Sequence, residues 1–146
     1  MSEFSGVFPV YGINFEVNTA ASGASEVYKE IADMESIALT IDTGIETWTP
    51  LDADGWQKAL ATAKSFKMSV SGKRNVGDEG NDFIAGKNLA NGHDCDVGIR
   101  LTFPDGNIFK GNTVISVTEC GTGDSTNVGP LKFDLTSNGK PSFGKT

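Results

Sequence analysis

The stretch FKMSVSGKRNVGDEGNDFIAG, residues 66–86, decides how this chain is read. It starts with strict two-residue alternation. Phe66, Met68 and Val70 point one way, and Ser65, Lys67, Ser69 and Ser71 point the other, which is the period of a half-buried strand. A polar loop follows through Gly72, Lys73, Arg74, Asn75, Val76 and Gly77, whose glycines permit turn conformations that a Cβ disfavours. Asp78 then has the position and chemistry of a helix N-cap. Glu79 and Asp82 fall in the first turn, where the helix dipole favours negative charge. Phe83, Ile84, Lys87 and Leu89 give the predicted helix a modest apolar side, and Asn91-Gly92 is its expected stop.

Working outward, the same alternation recurs. Ile13, Phe15 and Val17 predict a short strand near residues 11–17. Ile37, Leu39 and Ile41 predict another, with a turn signal at Asp42-Thr43-Gly44 and extended chain over residues 46–51. Residues 26–34 fit either a strand or a helical turn. Between Asp52 and Lys64, Trp56, Ala59, Leu60 and Ala63 sit at helical spacing, yet the segment runs without a break into the Phe66 strand. Downstream, Val97, Ile99, Leu101 and Phe103 alternate up to Pro104-Asp105-Gly106-Asn107, a hairpin signal with Asp-Gly at its centre. The return strand carries Ile115 and Val117, and Leu131, Phe133 and Leu135 mark a last strand ended by Asn138-Gly139. The sum is mainly β: an antiparallel β-sandwich or partly open barrel with one short α-helix. Residues 1–146 read as a single domain. Its first 24 residues form an arm, expected either to be mobile in a free subunit and pack on a neighbour through Phe4, Phe8 and Tyr11, or to be an ordinary edge strand.

Bulk composition narrows the function. A formal net charge of −7 argues against tight nucleic-acid binding, which needs Lys and Arg for the phosphates. It is compatible with DNA passing nearby, because a like-charged wall limits sticking. The first residues, Met-Ser-Glu-Phe-Ser-Gly, lack the basic and apolar regions of a signal peptide. No apolar run approaches the roughly 18 residues of a membrane span, so no membrane partner is expected. Cys95 and Cys120 are expected to be free thiols. With Asp105-Gly106 as a two-residue loop, Cys95 would face position 116 rather than Cys120.

Catalytic and metal constellations are not apparent. His93-Asp94-Cys95-Asp96 has the residue types of a zinc site, but neighbouring residues entering a strand face opposite ways and converge poorly. The carboxylates Asp52/Asp54, Asp78/Glu79/Asp82 and Asp94/Asp96 are explained by turns and caps. Gly77-Asp78-Glu79-Gly80 lacks the Gly-Lys-Ser/Thr ending of a phosphate loop. No cofactor, metal or enzymatic activity is expected. Lys73-Arg74, the adjacent basic pair, reads equally as a solvated turn or as a partner for Asp78, Glu79 or Asp82 of another copy.

The block Ser71-Gly72-Lys73-Arg74-Asn75, Gly77-Asp78, Gly80-Asn81-Asp82 and Gly86 resembles the signature of bacteriophage tail tube proteins, also called major tail proteins. The resemblance extends to Glu46-Thr47-Trp48-Thr49-Pro50 and Gly55-Trp56, to Gly123-Asp124-Ser125-Thr126-Asn127, and to Asn138-Gly139-Lys140-Pro141-Ser142-Phe143. It implies a strand from about Lys58 where propensity implies a helix, and the strand is the reading adopted. Ending at Thr146, the chain has no expected room for the immunoglobulin-like domain that some of these proteins append.

The resemblance further implies a structural virion protein. Its copies would form stacked hexameric rings, filled by a tape measure protein until DNA passes. Tail initiator or baseplate and terminator proteins would be partners, with assembly in the host cytoplasm. On this reading Ser71, Gly72, Lys73, Arg74, Asn75, Asp78, Glu79 and Asp82 are candidate subunit contacts, and Ser65, Lys67 and Ser69 candidate lumen residues. Two alternatives stay open: the tube of a phage-derived contractile particle or secretion apparatus, and a carbohydrate-binding β-sandwich. The latter would use Trp48 and Trp56 as a stacking platform, although core packing is the commoner fate of such residues.

Overall fold

The computed structural model describes residues 5–20 and 24–145; Phe4 lies outside them. Eight strands and one α-helix are found among the described residues. The strands are β1 (Asn14–Asn18), β2 (Tyr28–Glu30), β3 (Met34–Trp48), β4 (Lys58–Lys73), β5 (Asp96–Thr102), β6 (Ile108–Cys120), β7 (Pro130–Ser137) and β8 (Ser142–Gly144), with α1 (Glu79–Ala85) between β4 and β5. All pair antiparallel in one sheet of order β2-β1-β5-β6-β7-β4-β3, and β8 adds to β6 beside its start.

One sheet can enclose a core only by curling. Phe15 of β1 and Phe133 of β7 lie three strands apart in the order, yet their rings stack with centroids 6.4 Å apart. The two edge strands, β2 and β3, are joined by only three residues, 31–33. The sheet therefore folds back until its edges meet at one corner without closing into a barrel. Inside lie Val17, Met68, Val70, Ile99, Leu101, Leu131, Phe133 and Leu135, capped at the corner by Ile31 and by Ile84 of α1. Each such side chain contributes about 1.5–3 kcal/mol on leaving water. The alternation of Phe66, Met68 and Val70 against Ser65, Lys67 and Ser69 holds: the first three are buried and the second three exposed.

Several sequence expectations are revised. Asp42-Thr43-Gly44 is no turn, since β3 runs through it. Gly44 stays paired with Ala63 at a β-bulge, and the extra residue, Thr62, hydroxyl-bonds the Gly44 carbonyl at 3.4 Å. The chain reverses later, through a 3-10 turn at Leu51–Ala53 and the left-handed residues Asp54 and Gly55. β4 starts at Lys58, so the strand reading prevails over helical spacing. Residues 26–34 supply β2 and the start of β3. The helix is shorter than expected, ending at Ala85 with Gly86 as its cap. Leu89 therefore lies beyond it and is exposed, and Asn91 instead caps a separate 3-10 turn, Gly92–Cys95. The β5–β6 turn encloses three residues rather than two, 104–106, inside a closing bond from Phe103 N–H to the Asn107 carbonyl, with Gly106 at φ +93°. The register shifts by one, and Cys120 sits opposite Leu131 of β7, so the two thiols are free. β1 is an interior strand between β2 and β5, and Phe8 ahead of it packs edge-on against Phe103 with centroids 6.4 Å apart.

Candidate assembly surfaces

The corner where the sheet edges meet is built from the signature block. Gly72 lies so close to the 31–33 connection that a Cβ there would strike the Asp33 carbonyl and come within 2.6 Å of the Met34 Cα. Gly80 is equally constrained, because its Cβ would meet the Glu30 carbonyl. α1 can therefore rest on β2 backbone to backbone. Asp78 caps the helix as expected, its carboxylate accepting from Asn81 N–H at 3.0 Å, and it also accepts from Ala32 N–H at 3.1 Å.

Asn81 is the residue that sequence reasoning passed over. It is fully buried. Its amide donates to the carbonyls of Ala32 (3.2 Å) and Lys73 (3.0 Å) and accepts from Asn75 N–H (3.1 Å) and Arg74 Nη1 (2.9 Å). A buried polar side chain with all its groups partnered fixes geometry rather than binding a ligand. The available signal was an asparagine three residues after the cap, between a glycine and the first-turn Asp82.

Most of the polar residues expected at subunit contacts thus find partners within their own chain. Arg74 Nη1 meets Asp82 Oδ1 at 2.8 Å, and Asp82 also accepts from Gly77 N–H. Lys73 Nζ reaches Glu35 at 3.5 Å, Asn75 donates to Asp33, and Lys29 faces Glu79 at 3.5 Å. Within one chain Arg74 and Lys73 are thus paired with Asp82 and Glu35, because the corner brings β2, β3 and α1 within reach. Glu79 and Ser71 keep open sides toward solvent.

A second surface is the outer face of the sheet. Ser65, Lys67 and Ser69 line up there opposite Asp42, Thr40 and Ala38 of β3. Thr136 and Asp134 of β7 continue the row, and Ser69 donates to Asp134 at 2.9 Å. The result is a face of short hydroxylic and small side chains with charges of both signs. Farther along the same sheet, Arg100 on β5 grips Glu16 on β1 through two bonds of 3.0 Å and stacks 4.3 Å over the Tyr28 ring of β2. Burial and the hydrogen bond to Glu26 raise the Tyr28 hydroxyl pKa, and the Glu16 bonds raise that of Arg100. This cluster ties down the β2 edge.

A third surface is uncovered. β4 pairs with β7 only over Lys67–Lys73 of β4, so among the described residues its positions 58–66 have β3 alone as a paired strand. Residues 41–48 and 58–65 make a two-stranded ribbon on which every residue is exposed. Ile45 and Leu60 are each 60% accessible, and Leu51 and Trp56 stand bare at the tip. Trp48 and Trp56 are therefore not core residues: Trp48 ends β3 on the ribbon, and Trp56 lies in the turn beyond it. Under the ribbon's base the core opens into an apolar groove of about 510 Å³, lined by Ile41, Phe66, Phe109 and Pro141, with Lys64 and Lys140 also lining it and neither tryptophan among the lining residues. Elsewhere, His93 pairs with Asp96 at 2.9 Å, which raises its pKa, while Cys95 packs toward the core. Among the described residues no group of three or more His, Cys, Asp and Glu side chains gathers around a metal-sized space.

No family model and no curated protein matches the chain by sequence. Solved structures do match. A chain from the tail of an empty gene transfer agent particle, refined helically with C6 symmetry, superposes with a TM-score of 0.76 at 17% identity, over 94% of this chain and 99% of that one. This is the tail-tube fold. A chain from the native virion of such a particle gives 0.73 at 18% identity, with the same two coverages. A chain of the sheath–tube complex of an extracellular contractile injection system, in its extended state, gives 0.59 at 14% identity over 96% of this chain and 93% of that one. The tail-tube fold thus spans nearly the whole chain, and the architecture implied by the signature block is the one found.

Proposed function

We propose that this protein is a tail tube subunit, a structural virion component whose copies assemble into stacked six-membered rings around a lumen. The observation that carries the reading is the uncovered ribbon. A two-stranded hairpin is marginal in water by itself. One that displays Ile45, Trp48, Leu51, Trp56 and Leu60 to solvent, in a fold shared with a C6-symmetric tail, is suited to burial against further copies. The outer face bearing Ser65, Lys67 and Ser69 is the proposed lumen wall, because the opposite face of the same strands is the core. Short side chains and a net charge of −7 per subunit would let DNA slide past without sticking. Glu79, Ser71 and the solvent side of the Lys73–Asp82 corner are the proposed lesser contacts. The work is assembly rather than turnover of a substrate. A tape measure protein would occupy the lumen before DNA, initiator and terminator proteins would bound the tube, and assembly would take place in the host cytoplasm.

Negative-stain microscopy of concentrated protein, alone and with its tail initiator, is expected to show rings or tubes with a central hole. Monomers under both conditions would overturn the reading. The likeness to a contractile sheath–tube chain favours one second reading, the tube of a phage-derived contractile particle or secretion apparatus. Co-purification of a sheath protein around the tubes separates the two.

A further inference from the structure

The exposed ribbon tip and the open groove at the ribbon's base have complementary chemistry. The tip, Leu51-Asp52-Ala53-Asp54-Gly55-Trp56, offers two bare apolar side chains with two carboxylates between them. The groove offers an apolar floor of Phe66, Phe109, Ile41 and Pro141, and two lysines, Lys64 and Lys140, among its lining residues. In a chain carrying 19 acidic against 12 basic residues, a slot with two lysines and no carboxylate stands out. Its volume of about 510 Å³ lies in the range that accepts a large side chain and its neighbours.

The tip cannot fill the groove of its own chain. Pairing runs unbroken in order from Ile41↔Phe66 at the base to Trp48↔Lys58 at the end, with one bulge. At 3.3 Å per residue that places the end of the paired ribbon about 23 Å from Ile41 at the groove, with the tip beyond it. The occupant must come from another copy. Resting on the tube reading above, we propose that the 51–56 tip of one subunit seats in the Phe66–Phe109–Pro141 groove of the next. Leu51 and Trp56 meet the apolar floor, and Asp52 and Asp54 face Lys64 and Lys140. Tip and groove are different surfaces of one molecule, so the contact is head-to-tail and either closes a ring or propagates along an axis.

The test uses charge reversal and its rescue in the full chain. Asp52→Lys with Asp54→Lys, and separately Lys64→Glu with Lys140→Glu, set like charges face to face. Each double variant is expected to form roughly tenfold less sedimentable tube than the parent at equal concentration. All four substitutions in one chain restore the attraction and are expected to recover assembly to within about threefold of the parent. Far-UV circular dichroism checks folding, which substitution of these exposed side chains should leave intact. If both double variants assemble as well as the parent, or the fourfold variant does no better than the doubles, the tip–groove contact is overturned while the tube reading stands. If the parent itself forms no tubes with its initiator, both fall.

Discussion

The corner and the ribbon are made from the same two strands, β3 and β4, and they differ in where their side chains find partners. At the corner, Gly72 and Gly80 let backbones touch, and Asn81, Asp78 and Asp82 bond back to residues 31–33 and 73–77. Some twenty ångströms away along those strands, the ribbon has no third strand and no layer beneath it among the described residues. A glycine-rich charged block invites assignment to a surface contact, yet here much of its bonding capacity is taken up within its own chain. The surface that lacks a partner is composed of ordinary strand residues. The difference teaches that a signature's polarity says little about whether it faces out, because a corner that brings three elements together needs polar groups to satisfy the freed backbone.

The strongest way to break this comparison is to empty the corner. Asn81→Leu keeps the branched shape but orphans two carbonyls and the Asn75 N–H in a buried site. A loss of about 3–5 kcal/mol in unfolding free energy is expected from chemical denaturation. A loss under about 1 kcal/mol would mean that the corner is not a folding determinant, and would return the block to a surface role. Gly72→Ala comes next, at about 2–3 kcal/mol, since the added methyl overlaps the Asp33 carbonyl and the backbone must shift. Asp78→Ala should cost about 1–2 kcal/mol, because it removes the helix cap and leaves Ala32 N–H without its acceptor.

How legible these features were follows from their range in sequence. Strands over Phe66–Val70, Val97–Leu101 and Leu131–Leu135 announced themselves because burial on one face imposes a period of two, which local composition records. The Asp78 cap is equally local. Gly44 misled because glycine serves a bulge and a turn alike, and only the partner strand, through Thr62, decides between them. The end of α1 was overrun because Lys87 and Leu89 continue a helical spacing that no packing partner enforces. The internal pairing of Arg74 with Asp82 and of Lys73 with Glu35 depends on the β2–β3 corner, which no short window contains. The tryptophans misled for a related reason. Burial is the rule for indoles, and their exposure follows from β4 outrunning β7, a mismatch in strand length rather than in residue type.

The smallest expected effect is also the most discriminating, because it concerns the ribbon. Leu60→Ser and Ile45→Thr each remove apolar surface that the free subunit leaves mostly exposed. Their effect on subunit stability is therefore expected to stay within about 0.5 kcal/mol, where the same change at Met68 or Phe133 would cost several. Hydrogen exchange gives the companion measurement. Amides of residues 41–48 and 58–65 should exchange close to the rate of an isolated hairpin in the free subunit, while those of β5 and β7 are protected up to global unfolding. On assembly the ribbon's protection should rise and the core's should not change. A ribbon already protected in the monomer, or a Leu60→Ser loss comparable to a core substitution, would mean that the hairpin is stabilised within its own chain. The contrast between an inward corner and an outward ribbon would then disappear. Equal stability with reduced tube formation is the expected pair of results, since the proposed tube places the binding partners of these side chains in another copy.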